Sequence, residues 1–246
     1  MSRPLTALLI VYVLLTSYLT ALDGGDFDVY LEAARKLSIG ENIYAPPFIR
    51  DLQYFYSVFF ALILIPFSKQ VFFTEFLWSV GSYMLLYRTY VLVRGYLDFS
   101  DFSIKKQRQW TILTVVMALQ FILYNVAMIQ VTFFLLWAVF ETLHLQEKNK
   151  YVLAGGLLGL AINIKIMPIL MLPYLVYRGH WKTLIVCLAT VVLLLFSPAL
   201  FLGGALNAQL HAAWWSIINP GNSEHVFETG IGLHSIGTYS RLPCSN

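Results

Sequence analysis

Two aspartates one residue apart, Asp26 and Asp28, follow the glycine pair Gly24-Gly25 where the first apolar run of the chain ends. A carboxylate within hydrogen-bond reach of a hydroxyl can take its proton as a C–O bond forms, contributing about 10²–10⁴-fold to rate. An Asp also suits a helix start, where it accepts backbone N–H bonds and meets the positive end of the dipole. Capping accounts for one of the pair and leaves the other as a candidate base. The D-x-D spacing resembles a divalent-ion site, since two carboxylates can hold an ion together with phosphate oxygens. Further on, Asn125 and Gln130 bracket a turn between two apolar runs, Lys165 occupies a later turn, and His234 lies in the polar segment Asn222–His234. A lysine offers a mobile point charge for a phosphate, or snorkels to the interface. The two amides can bind sugar or hold their turn. A histidine can donate to an oxyanion and titrates near neutral pH. Arg35 is a further candidate binding residue, and equally a headgroup contact, as is Lys36.

Something must hold these residues, and the composition allows one kind of scaffold. The 246 residues are 59% hydrophobic and 12% charged, with mean hydropathy +0.70. Soluble domains are about half apolar and a quarter charged. Most of this chain must face lipid. Nucleic acid is not an expected partner, because the net charge of +3 is distributed over a membrane protein, where placement of Lys and Arg matters more than their sum. Cys187 and Cys244 have no metal-site spacing, and neither a metal nor a cofactor is expected. Leu5–Leu22 is longer than the core of a signal peptide and reads as a retained first span.

The remaining apolar runs are Tyr54–Phe67, Val71–Val93, Trp110–Tyr124, Val126–Leu145, Val152–Ile164, Met167–Tyr177 and Thr183–Leu202. Tyr54–Phe67 is short, ends at Pro66 and adjoins Lys69, as a surface or re-entrant helix would. Seven crossings by the other runs put Arg3, Arg88, Arg94, Lys105, Lys106, Arg108, Lys148, Lys150, Arg178 and Lys182 on one side, which the positive-inside bias makes the cytoplasm. The N-terminus is then cytoplasmic and the candidate site residues are external. Val152–Ile164 and Met167–Tyr177 are short for full crossings and read as a hairpin with Lys165 at its tip, or as one broken span. In the first loop, Tyr30, Ala33, Ala34 and Leu37 follow the stripe of an amphipathic helix ending near Gly40 and lying along the membrane surface, with Glu32 and Lys36 paired on its polar side. The expected fold is all-α: one polytopic membrane domain over 1–246, with about seven transmembrane helices, a surface or re-entrant helix and this amphipathic helix.

The ordered succession G-D-F-D-V-Y-x-x-A-A, G-x-N-x-Y, Tyr54-Phe55-Tyr56, N-x-x-x-x-Q at Asn125–Gln130 and A-G-G-x-x-G-x-A-x-x-x-K-x-x-P at Ala154–Pro168 resembles the C-type superfamily of membrane glycosyltransferases, most nearly glycosyltransferase family 87. That resemblance implies transfer of a sugar, mannose favoured, from a polyprenyl-phosphate carrier to a lipid or glycan acceptor hydroxyl outside the cytoplasm, with inversion. It places the family's loop carboxylate on Asp26, suits Lys165 to the carrier phosphate, and implies a non-crossing helix after the first loop. Two departures stand out. Ser57-Val58 replaces a usual proline pair, which puts the turn beside the donor site in question, and the chain ends in an external loop without the family's further spans, as a shortened version would. The alternatives are a glycolipid transporter or flippase, for which no inverted repeat is visible, and a non-catalytic membrane protein.

Overall fold

A computed structural model describes residues 3–46, 52–97 and 102–219, and the regular elements among them are all helical. In chain order they are α1 (Arg3–Asp23), α2 (Asp26–Ser38), α3 (Val58–Leu64), α4 (Val71–Tyr96), α5 (Ile104–Ala127), α6 (Thr132–Glu147), α7 (Tyr151–Ile164), α8 (Met171–Tyr177), α9 (Trp181–Phe196), α10 (Ala199–Leu202) and α11 (Gly204–Ile218). Short 3-10 turns at Ile65–Phe67 and Met167–Leu170 carry Pro66 and Pro168. By length and composition, Thr6–Asp23, Ile104–Ala127 and Trp181–Leu202 can each cross a membrane, and a fourth span results if Val58–Phe67 and α4, bent by 115°, count as one. Helix length therefore does not by itself reach the seven crossings read from the sequence. The shortfall lies in α6, α7 and α8, of 16, 14 and 7 residues, against the ~20 that an unaided crossing needs.

Side-chain contacts fix the relative directions of α1, α4, α6, α7 and α9. α1 runs antiparallel to α4, with Thr16 Oγ1 2.9 Å from Tyr83 Oη and Thr20 Oγ1 3.4 Å from Ser79 Oγ. α4 and α6 run parallel: Trp78 meets Phe134 at one end, and toward the other Arg88 donates to both Glu141 carboxylate oxygens at 2.9 Å. Trp137 Nε1 also donates to Glu141, at 3.1 Å, so the charge that Arg88 brings into an apolar helix is neutralised there. α7 returns antiparallel to α6, and α9 runs parallel to α7. This last pair is the tightest contact. A Cβ on Gly155 would lie 2.6 Å from the Thr183 carbonyl oxygen, and one on Gly159 2.7 Å from Thr190 Cβ, so only glycines four apart let the two backbones approach.

α8 is the return stroke between α7 and α9, its Leu175 packed with Leu158, Ile162, Leu184 and Cys187. At the far end, Gln146 Nε2 lies 3.0 Å from His180 Nδ1 and Thr183 donates to Gln146 Oε1. Lys165 thus sits at the tip of a hairpin, with α6, α8 and α9 meeting at its base.

α2 is buried more thoroughly than a surface helix. Its stripe of Tyr30, Ala33, Ala34 and Leu37 is covered, and so are Phe27, Val29, Leu31 and Lys36. α3 folds back over it, contributing Val58, Phe60, Ala61 and Leu64 to a core shared with Leu135 and Ala138 of α6, Ala161 and Ile164 of α7, and Leu210 of α11. Glu32 takes Arg35 as an ion-pair partner, and Lys36, expected on the polar side of the helix, is buried and donates from Nζ to the Ala45 carbonyl at 3.1 Å. Gly40 (φ +76°) closes the helix, as glycine does at a left-handed C-terminal position.

Candidate active site at the mouth of the bundle

The end of the bundle opposite Gln146 gathers the end of α1, the starts of α2, α4 and α6, and the ends of α5 and α7. Gly25 makes this convergence possible. It is the N-cap of α2 without a side-chain cap bond, and a Cβ there would fall 2.6 Å from the Met128 carbonyl oxygen. That carbonyl accepts from Asp26 N at 2.9 Å. The aspartates therefore lie just inside the helix, and the Asp26 carboxylate is used elsewhere: Gln130 Nε2 donates to its Oδ2 at 2.7 Å.

Gln130 reaches Asp26 from an unusual turn. After α5, Gln130 N donates to Asn125 O at 3.1 Å, and Ile129 between them has φ +48°. A β-branched residue in the left-handed region is strained, at a cost of order 1–3 kcal/mol. Its side chain is buried, 2% exposed, which holds the conformation. Asn125 belongs to this turn: its Nδ2 donates to Phe121 O at 2.8 Å, and it does not line the cavity that follows.

Asp26, Gln130 and Lys165 face a cavity of about 300 Å³, with Tyr30, Tyr56 and Gln53 among its other walls. The Tyr30 and Tyr56 hydroxyls are 2.6 Å apart, and Lys165 Nζ lies 3.5 Å from Tyr56 Oη and 5.2 Å from its ring centroid. Burial pushes the Tyr56 phenol up to about 12, with the nearby Asp26 charge adding to the effect. Burial likewise holds Tyr30 well above the ordinary phenol value, so both hydroxyls remain protonated hydrogen-bond donors near neutral pH. Burial lowers the Lys165 value while Asp26 acts to raise it. The cavity thus presents one carboxylate, one cation, two phenols and two amides, enough to grip an anionic group and take up a proton.

Beside it, across Phe27 and Ile164, runs an apolar groove of about 650 Å³ between α3 and α4, walled by Phe60, Leu77, Trp78 and Phe134. Phe27 follows Asp26 and Ile164 precedes Lys165, so groove and cavity share a partition.

The other residues singled out in the sequence do not join this group. Asp28, two positions along α2, does not line the cavity; a helix turns about 200° over two residues. Arg35 is engaged by Glu32 through Nε at 2.6 Å and a second contact from Nη2, and is also absent from the lining. His234 lies outside the described residues. Among those described, no three His, Cys, Asp or Glu side chains converge in a way that could hold a metal. The sequence reading did not assign Tyr30, Tyr56 or Gln53 to the site; the aromatic run Tyr54-Phe55-Tyr56 was the signal that could have found one of them. Ser57, in the place of the proline pair, is fully buried, accepts from Phe60 N at 3.2 Å and donates to Asn163 Oδ1 at 3.0 Å. Hydrogen bonds hold this turn where proline rings would otherwise stiffen it.

The model of a family described as glycosyltransferase family 87 matches residues 54–240, well over half of the chain. Gln130 and Lys165 fall within the match; Asp26 and the rest of the first loop precede it. No curated protein and no solved structure matches.

Proposed function

The chain belongs to glycosyltransferase family 87 and is a membrane glycosyltransferase; from that premise we propose that it moves a hexose or pentose, mannose favoured, from a polyprenyl-phosphate carrier to an acceptor hydroxyl. Asp26 is the general base. As the acceptor oxygen attacks the anomeric carbon, its proton passes to Asp26, and the bond from that carbon to the phosphate oxygen breaks on the opposite face. The configuration inverts and polyprenyl phosphate departs with the bonding electrons. Phosphate is a good leaving group and needs no general acid. Lys165 and the Tyr56 hydroxyl stabilise the charge that grows on it. Acceptor and membrane lipids are the other partners, and no metal enters the scheme.

The observation that carries this reading is the pairing of one carboxylate and one lysine in a single cavity beside an apolar groove. A lipid-linked sugar phosphate has that same division into a polar head and an apolar tail.

The alternating directions of α1, α4, α6, α7 and α9, with α5 and α8 as the strokes that join them, support seven passes. With Arg94, Lys148, Lys150, Arg178 and Lys182 at the end away from the cavity, the positive-inside bias favours a cytoplasmic N-terminus and an extracytoplasmic site in the cell membrane.

The test is transfer of radiolabelled mannose from polyprenyl-phosphate mannose in membranes expressing the chain. Asp26→Asn is expected to reduce transfer by about 10²–10⁴-fold. Equal transfer by both proteins would remove Asp26 from the mechanism.

A further inference from the structure

Every polar group of Gln130 is engaged. Its N–H donates to Asn125 O at 3.1 Å, its carbonyl accepts from Trp78 Nε1 at 3.4 Å, its Nε2 donates to Asp26 Oδ2 at 2.7 Å, and its Oε1 accepts from Thr132 Oγ1 at 3.1 Å. The orientation of the amide follows from chemistry. An ionised carboxylate only accepts, so the NH₂ group must face Asp26, while the Thr132 hydroxyl can donate to the remaining oxygen. A side chain fixed at both ends of its amide and at both backbone groups is poorly suited to adapt to a sugar. It is well suited to hold something still.

We propose that Gln130 is a positioning residue for Asp26. The inference rests on the reading of Asp26 as the base. By occupying Oδ2, the amide locks the carboxylate plane and leaves Oδ1 to meet the acceptor hydroxyl. The chain Thr132, Gln130, Asp26 carries this order from the first residue of α6 to the first residue of α2, and the strained Ile129 together with Gly25 sets the distance between those two helix starts. Its role is thus separate from the sugar binding or turn support that the sequence allowed it.

The assay is steady-state transfer from polyprenyl-phosphate mannose in membranes, with size-exclusion profiles of the solubilised protein as the folding control. Gln130→Leu should lower kcat by about 10²-fold, the scale at which small misplacements of catalytic groups are felt, while KM for the donor stays unchanged. The double variant Asp26→Asn with Gln130→Leu should be no slower than Asp26→Asn alone, because two residues acting as a unit are not additive. A purely architectural role would give losses that multiply, and that result overturns the proposal, as does a loss confined to KM. Should Gln130→Leu fail to fold, Thr132→Val keeps the glutamine and removes only its anchor; a kcat loss of about 2–10-fold is expected from one neutral hydrogen bond, and native kcat overturns the proposal. Full transfer by Asp26→Asn would sink the base assignment and this inference with it. An inactive Asp26→Asn beside a fully active Gln130→Leu would sink this inference alone.

Discussion

Lys165 answers to two opposed demands. Burial disfavours its charge, and the Asp26 carboxylate favours it, so the charged lysine carries a desolvation cost that a bound anion would offset. Lys165→Ala should therefore lower kcat/KM mainly through the donor, by about 10–10²-fold for a charge-assisted bond of about 1.5–3 kcal/mol. The pH dependence has a definite sign. With its value below that of an exposed lysine, about 10.4, Lys165 loses its proton early as pH rises, and donor KM should begin to climb at a lower pH than an ordinary lysine would cause. Lys165→Arg, which stays charged, should abolish that alkaline rise. Stability follows the same linkage in reverse. A lysine whose folded value is lowered costs stability while it is charged in both states, and the cost fades as pH rises from its folded value and is gone above its unfolded one. Lys165→Met should thus raise the Tm of the substrate-free protein near pH 7, by an amount that shrinks toward pH ~10. Asp26 and Lys165 were legible in the sequence because their types announce chemistry. Gln130 as the partner of Asp26 was not, since 104 residues separate the two and no local pattern records such a contact. By residue type alone Asp26 could not be told from Asp28; the family resemblance singled out Asp26, and Gly25, by setting where the helix begins, turns that residue toward the cavity.

At the level of elements, the glycines of α7 illustrate how one motif divides its labour. Gly155 and Gly159 face α9 at contact distance, while a Cβ on Gly156 meets open space. Gly155→Val or Gly159→Val should force α7 and α9 apart, cost about 1–3 kcal/mol as overpacking does, and lower the thermal midpoint of the solubilised protein. Gly156→Ala should leave it unchanged or raise it, because alanine is the better helix former by about 1 kcal/mol. Midpoints that fall equally for all three would show that the close approach is not what the motif secures. The helical character and the apolar stripe of α2 were readable, since period alone defines them. The burial of Lys36, and the fold of α3 back over α2, were not: a seven-residue α3 has too few turns to announce its direction, and the second layer it forms covers part of the face that the period of α2 marks as polar. The hairpin with Lys165 at its tip was legible because a lysine in mid-membrane is expensive and a turn at the surface is not.

At the scale of the whole molecule, opposite ends carry opposite tasks. Polar groups fit for chemistry collect at one end and most of the basic residues of the connecting turns at the other. In a background without Cys244, a cysteine replacing exposed Lys148 or Lys182 should react with an impermeant thiol reagent only after the cytoplasmic side is opened, and one replacing exposed Glu41 should react in intact cells. The reverse labelling would invert the orientation and place the cavity in the cytoplasm. The separation of Asp26 from Gln130 by 104 residues, and of Tyr56 from Lys165 by 109, also sets a timetable for biosynthesis. The first loop leaves the ribosome long before the residues that will complete its surroundings, and the cavity closes only once α7 has been inserted. A nascent chain arrested before residue 165 should leave the first loop open to protease, and one extended through α9 should protect it. The candidate site is therefore assembled carboxylate first and cation last, and a ribosome that stalls midway leaves that carboxylate without the lysine that will face it.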